Sequence, residues 1–225
     1  MDASMKTIVL LPGFMLDDAL WDDFVPHLPD DWRVHRIALS RGRTVRDVAD
    51  AVAAQLDGPT VLLGFSMGGY VARALATTHP QLAEALVLVA TSARGERAAV
   101  PLSGSTGRAT FAGLSRRAIQ RSLGPNHADD EALIERVRAM SIRLGADAFD
   151  WQSALDRTDV PLEGISCPTL VIAARDDQLR SIDESRELVD AIRGAELRII
   201  EGTGHLIPLE APRQLAETLL DWLPR

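Results

Sequence analysis

The chain has 225 residues, of which 46% are hydrophobic and 25% charged. This is the profile of a soluble globular protein with enough apolar material for one buried core. The formal net charge of −8 argues against a broad basic surface for nucleic acid. The single cysteine, Cys167, excludes an internal disulfide and a cysteine-rich metal site, and it fits a reducing compartment.

The N-terminal stretch MDASMKTIVLLPGFML contains an apolar run that Pro12 and Gly13 interrupt. It has no basic leader and no small-residue cleavage pattern, so we expect no signal peptide. No apolar run approaches the length of a membrane span. We therefore expect a cytoplasmic protein that binds neither membrane nor nucleic acid, and that is a monomer or a homodimer.

Short apolar runs alternate with helical patterns over the first ninety residues. Trp21, Phe24, Val25 and Leu28 recur at helical spacing, for example. The patterns predict strands at 7–11, 34–39, 60–63 and 85–90, and helices at 17–28, 45–56 and 67–78. After residue 164 they predict strands at 169–173 and 196–200, and helices at 182–192 and 212–223. Strands this apolar are covered on both faces, which indicates an α/β fold with a mostly parallel sheet and helices on both faces.

The alternation stops between residues 92 and 164, where no strand is predicted. Amphipathic patterns at 111–119 and 133–144 predict two helices, with Gly145 ending the second. A third helix is predicted at 146–155. We interpret residues 92–164 as a helical cap inserted after the fourth strand, and residues 1–91 and 165–225 as the core.

Ser66 lies where a predicted strand turns into a predicted helix, in the sequence Gly64-Phe65-Ser66-Met67-Gly68. A sharp strand-to-helix turn brings backbones close together, so a Cβ on either flank of the serine would clash. Such a turn holds the serine in a strained conformation with its Oγ exposed. The less specific interpretation is a turn whose serine only caps the helix.

A serine nucleophile needs a base, and a carboxylate must orient that base. Of the five histidines, His205 alone lies in a loop after a predicted sheet strand, in EGTGHLIPLEAP. Asp176 and Asp177 follow another predicted strand. Because ligands gather at the carboxyl ends of parallel strands, we expect these groups to meet Ser66 at one edge of the sheet. The spacing to His205 does not choose between the two aspartates.

The chain resembles the α/β-hydrolase fold superfamily in four segments, LLPGF, GFSMGG, CPTLVIAARDD and GTGHLIPLEAP. The resemblance implies Ser66 as nucleophile, His205 as base and Asp177 as orienting acid. It also implies an oxyanion hole formed by the backbone N–H groups of Phe14 and Met67. Many members begin with two antiparallel strands before the strand predicted here at 7–11. Only a few residues precede that strand, so we expect those two strands to be missing and the sheet to have about six parallel strands.

This set of residues predicts acyl transfer on a small-molecule substrate, an ester, thioester or lactone, with no metal and no organic cofactor. Carbon–carbon bond cleavage or elimination, and cofactor-free perhydrolase chemistry, remain alternatives on the same triad. A small-molecule receptor that retains the triad is an alternative of another class.

We expect the inserted helices to line the substrate pocket, with Phe111, Met140, Phe149 and Trp151 as candidates. The beginning of the insertion is also rich in arginine. The ordinary explanation for such a charge cluster is a solvated helix face. The more specific and less expected explanation is that the cluster binds an acidic substrate. The cluster has one acid, Glu96, against Arg94, Arg97, Arg108, Arg116, Arg117 and Arg121.

Overall fold

A computed structural model describes residues 5–95, 111–158, 160 and 162–223. In these residues six strands form one sheet, in the order β2-β1-β3-β4-β5-β6, and every neighbouring pair is parallel. The predicted α/β fold and the expected sheet of about six strands are thus confirmed. The strands are β1 (Thr7–Leu11), β2 (Arg33–Arg36), β3 (Thr60–Phe65), β4 (Ala83–Val89), β5 (Thr169–Ala174) and β6 (Glu196–Ile200).

Helices connect the strands and cover both faces of the sheet. They are α1 (Val45–Ala53), α2 (Met67–Thr78), α3 (Arg116–Gln120), α4 (Glu131–Ser153), α5 (Ile182–Ala191), α6 (Ile207–Glu210) and α7 (Pro212–Trp222). Successive strand residues alternate between two apolar clusters, because side chains of a strand point to opposite faces. Ile8 packs into the cluster that contains α7 residues, and Val9 packs into the cluster that contains α1 and α2 residues.

The prediction of one helix at 17–28 is wrong. The structure has two short 3₁₀ helices there, Asp18–Trp21 and Val25–His27. Pro26 at the start of the second one has no N–H to continue a helical ladder, and Asp17 caps the first by accepting the N–H of Ala19 at 3.1 Å. Trp21 and Phe24 are nevertheless fully buried, so the apolar pattern marked the buried face correctly but not the backbone conformation.

Within the segment between β4 and β5, the described residues form helices and turns, with one isolated β-bridge between Thr44 and Asp156. Gly145 interrupts α4 with φ 78° and ψ 179°, a conformation that favours glycine. It separates the predicted second and third helices at the expected residue. Residues 96–110 lie outside the described part of the chain. The division into core and cap remains a prediction.

Two ion pairs join α4 to the segment after β1. Arg143 donates to both carboxylate oxygens of Asp17, at 2.7 and 3.0 Å, and Arg136 pairs with Asp23. The inserted helix is thereby held over the carboxyl end of β1. Among the helices of the described residues, none has the length and apolarity that crossing a membrane requires.

Candidate active site

Ser66 occupies the corner between β3 and α2 in a strained backbone conformation, with φ 50° and ψ −112°. Non-glycine residues rarely adopt positive φ, and such strain is often kept at functional sites. The surrounding backbone holds it there. The N–H of Ser66 donates to the carbonyl of Val89 at 2.8 Å, and the Thr91 hydroxyl donates to the carbonyl of Ser66 at 2.8 Å.

The glycines around Ser66 are required by close backbone contacts. A Cβ on Gly64 would lie 2.4 Å from the carbonyl oxygen of Gly68. A Cβ on Gly68 would lie 2.3 Å from the carbonyl oxygen of Leu11. Both distances are far below van der Waals contact, so the predicted reason for the small residues at this turn is confirmed by the backbone geometry.

His205 follows β6 and turns its imidazole towards Ser66. Its Nε2 lies 2.9 Å from the Ser66 Oγ, and the side chain is only 7% exposed. The ring of Phe65 packs against the imidazole, with 5.2 Å between the ring centroids. A base at this distance can take the hydroxyl proton directly.

Asp177, rather than Asp176, contacts the imidazole. Its Oδ2 lies 2.7 Å from the Nδ1 of His205, and its side chain is 1% exposed. The other carboxylate oxygen accepts the backbone N–H groups of Leu179 and Arg180 at 2.7 and 2.9 Å. These bonds hold the carboxylate in place beside the imidazole.

The two amides expected to bind an oxyanion belong to Met67, the residue after Ser66, and to Phe14, which lines the same cavity as Ser66. Met67 is the first residue of α2, and the first N–H groups of a helix have no acceptor within it. Phe14 lies in the turn after β1. The next residue, Met15, has φ 56°, and its N–H donates to Oε1 of the buried Gln152 at 2.7 Å. The inserted helix α4 therefore helps to set the conformation of this turn.

A cavity of about 700 Å³ opens above Ser66 and His205. One part of its wall is apolar and includes Phe14, Leu16, Phe65, Leu114, Val137 and Leu206. The described lining residues also include three arginines, Arg121, Arg157 and Arg180, and no aspartate or glutamate. One of these arginines, Arg180, pairs with Glu184 at 3.5 Å.

The four predicted pocket residues are not among the described residues that line this cavity. Met140 is fully buried in the core cluster, and Trp151 packs against the cluster on the other face of the sheet. Phe149 packs between Phe111 and Phe14, with a tilted ring contact to the first and an edge-on contact to the second, at centroid distances of 5.4 and 5.6 Å. Phe149 therefore contacts Phe14, which lines the cavity. Helical periodicity identified these side chains as apolar but did not show whether they face the core or the cavity.

Arg157, Leu179 and Arg180 line the cavity, and the sequence analysis did not single them out. Arg157 follows α4, where its Nη2 donates to the carbonyl of Gln152 at 2.8 Å and lies 3.7 Å from the Met67 sulfur. Leu179 and Arg180 follow Asp177 directly. Their position shortly after Asp177 was the one feature of the sequence that could have indicated a place at the cavity. In the described residues, no group of three or more histidine, cysteine, aspartate or glutamate side chains is arranged to hold a metal ion.

The chain belongs to the alpha/beta hydrolase family, whose model matches residues 8–218. It is therefore an enzyme of the hydrolase type. Ser66, Asp177 and His205 meet at the carboxyl ends of the strands of its parallel sheet.

Two curated relatives are named pimeloyl-[acyl-carrier protein] methyl ester esterase. The one from Neisseria meningitidis serogroup C is 29% identical over 91% of this chain and 88% of its own length. The one from Aromatoleum aromaticum is 28% identical over 95% of this chain and 96% of its own length. Both matches are close to full length in the two proteins compared.

Solved structures share the fold. A thermophilic esterase from Thermogutta terrifontis is 25% identical, with a TM-score of 0.75 over 96% of this chain and 89% of its own. The enol-lactonase from Burkholderia xenovorans LB400 has a TM-score of 0.85, covering 97% of this chain and 91% of its own at 23% identity. The latter similarity concerns the fold alone.

Proposed function

We propose that the protein hydrolyses a small carboxylic ester, thioester or lactone through an acyl-enzyme on Ser66. The observation that carries this proposal is the hydrogen-bonded series from Ser66 Oγ to His205 Nε2 and from His205 Nδ1 to Asp177, at 2.9 and 2.7 Å. The names of the relatives, which are esterases, support the same reaction.

In the proposed reaction, the Ser66 oxygen attacks the substrate carbonyl while His205 Nε2 takes the hydroxyl proton. The backbone N–H groups of Phe14 and Met67 donate to the developing oxyanion. The protonated imidazole, stabilised by Asp177, then gives its proton to the leaving alcohol. A water molecule deprotonated by His205 attacks the acyl-enzyme and releases the carboxylic acid and the free serine. The balance of this reaction needs neither a metal nor an organic cofactor.

We further propose that residues 92–164 act as a cap, and that the substrate carries a negative charge away from the ester. Cap residues Leu114 and Val137 contribute to the apolar wall, which suits an acyl chain, and cap residues Arg121 and Arg157 contribute positive charge. A carboxylate or phosphate at the far end of the acyl chain would complement these arginines. The acyl-carrier-linked ester in the relatives' name supports an extended acyl substrate.

The test compares monomethyl pimelate, which is ionised at neutral pH, with uncharged dimethyl pimelate, alongside p-nitrophenyl esters of graded length, thioesters and lactones. Arg121→Gln removes a charge-assisted contact worth about 1.5–3 kcal/mol. We therefore expect it to raise KM for the monoester about tenfold or more, with little effect on the diester. Arg117→Gln, at an exposed position of α3 four residues before Arg121, is the matched control. Equal KM values for the monoester would remove the charge recognition but not the esterase proposal.

The alternatives give different outcomes in the same screen. Rapid multiple turnover of simple esters excludes a receptor that only binds. Labelling of Ser66 by a fluorophosphonate without turnover of any ester, thioester or lactone would instead favour carbon–carbon bond cleavage or perhydrolase chemistry.

A further inference from the structure

A buried carboxylate lies directly behind the His205 loop. Glu210 is the last residue of α6, and its side chain has no exposed surface. Its oxygens accept the backbone N–H groups of Gly204 and Leu206, both at 3.1 Å. These two residues flank His205 in the chain, so one carboxylate fixes the backbone on both sides of the proposed base.

The same carboxylate also binds the inserted segment. Glu210 Oε2 accepts the N–H of Gly124 at 2.7 Å and lies 3.3 Å from Nδ1 of His127. Charge-assisted hydrogen bonds of this kind are about twice as strong as neutral ones. Glu210 therefore joins two segments that are about eighty residues apart in the sequence.

Direct backbone contacts strengthen this junction. A Cβ on Gly204 would lie 2.3 Å from the nitrogen of Gly124, and a Cβ on Gly124 would lie 2.6 Å from the nitrogen of Gly204. The Leu206 N–H also donates to the carbonyl of Ser122 at 3.2 Å. Since Ser122 lines the cavity as His205 does, the junction fixes one wall of the cavity relative to the base.

We propose that Glu210 is a positioning residue, which sets the His205 imidazole against the 122–127 segment of the insertion and so holds the base at its distance from Ser66. This inference rests on the proposed function. A displacement of about 1 Å in a catalytic group can lower a rate about 100-fold. Loosening the junction should therefore lower kcat even though Glu210 does not contact the substrate cavity.

The test variant is Glu210→Gln. A glutamine has one acceptor oxygen, and its NH₂ group must face at least one of the backbone N–H donors that Glu210 now satisfies. Gly124→Ala disturbs the junction from the insertion side and serves as the second variant if Glu210→Gln does not fold. Glu201→Gln is the matched control, because Glu201 is exposed and pairs with Arg175 on the surface.

Each variant is titrated with a fluorophosphonate, and kcat on p-nitrophenyl acetate is divided by the concentration of labelled sites. We expect Glu210→Gln and Gly124→Ala to lower this normalised kcat about 10- to 100-fold, with KM within about threefold of wild type, and Glu201→Gln to have no effect. A purely structural role would lower the number of labelled sites but leave the normalised kcat unchanged, and that result would overturn the inference. Absence of labelling at Ser66 in the wild type would instead overturn the proposed function.

Discussion

Asp177→Asn is the most direct test of the hydrogen bonds that link Ser66, His205 and Asp177, because the neighbouring backbone donors determine the orientation of the new amide. The two backbone N–H groups of Leu179 and Arg180 donate to Oδ1. An asparagine keeps both bonds only if its amide oxygen takes that position. Its NH₂ then faces Nδ1 of His205 and donates to it. The imidazole proton is forced onto Nε2, where it points at Ser66, and the ring can no longer accept the serine proton.

The expected loss of kcat follows from the free-energy cost of the amide orientation that would keep His205 competent. Turning the amide so that its oxygen faces His205 leaves the two backbone donors unsatisfied in a site where Asp177 is 1% exposed. An unsatisfied buried donor costs about 1–3 kcal/mol, so the competent orientation lies about 2–6 kcal/mol above the other. A fall in kcat of about 10⁴-fold corresponds to about 5 kcal/mol and lies within this range.

The assay is kcat on a p-nitrophenyl ester, with thermal unfolding measured in parallel to show that Asp177→Asn keeps the fold. Asp176→Asn is the control, since the contact with the imidazole is made by Asp177. We expect the control to keep activity within a few fold of wild type. A larger loss for Asp176→Asn than for Asp177→Asn would move the orienting role to Asp176. Small, equal losses would show that His205 works without the partner assigned to it.

Three further predictions concern Ser66, Gly68 at the turn after Ser66, and the buried Arg73. Ser66→Ala should abolish fluorophosphonate labelling and lower kcat by about 10⁴-fold or more; labelling at another serine would contradict this. Gly68→Ala should lower the free energy of unfolding by about 3 kcal/mol, because its Cβ meets the Leu11 carbonyl. The control Gly58→Ala, whose Cβ would have open space around it, should change this free energy by less than about 0.5 kcal/mol. Equal urea midpoints for the two variants would refute the steric argument. Burial lowers the pKa of Arg73 to about 10. Among the described residues its Nε and Nη1 have no hydrogen-bond partner, and its guanidinium lies 4.8 Å from the centre of the Tyr70 ring. We expect the cost of burying the charge to exceed the gain from this contact, so Arg73→Met should raise the free energy of unfolding at pH 7.5 by about 1–3 kcal/mol. Because the unfolded chain holds this proton more tightly, wild-type stability rises with pH above about 10, and the gain from Arg73→Met shrinks there. A loss of stability in the variant at pH 7.5 would show that the contact with Tyr70 outweighs the cost of burying the charge.

Local sequence patterns were sufficient to predict the fold class. Strands such as Val61-Leu62-Leu63 are apolar at every position because helices cover both faces of the sheet, and this burial is visible in a single segment. The same holds for the glycines around Ser66 and for Gly145, where the backbone geometry excludes most other residues. The chain order of Ser66, Asp177 and His205, each after a strand, then predicted that these residues meet at one edge.

The tertiary structure decided the properties that depend on segments far apart in the chain. The sequence pattern shows that a side chain is apolar but not what it packs against. Met140 and Trp151 were predicted at the pocket, but Met140 lies in one core cluster and Trp151 packs against the other. The spacing to His205 fits both Asp176 and Asp177; the family resemblance implied Asp177, and the structure places Asp177 against the imidazole. The contact of Glu210 with Gly124 likewise exists only because the insertion folds back on the loop that carries His205. Such contacts depend on how elements pack in three dimensions, which no local periodicity records.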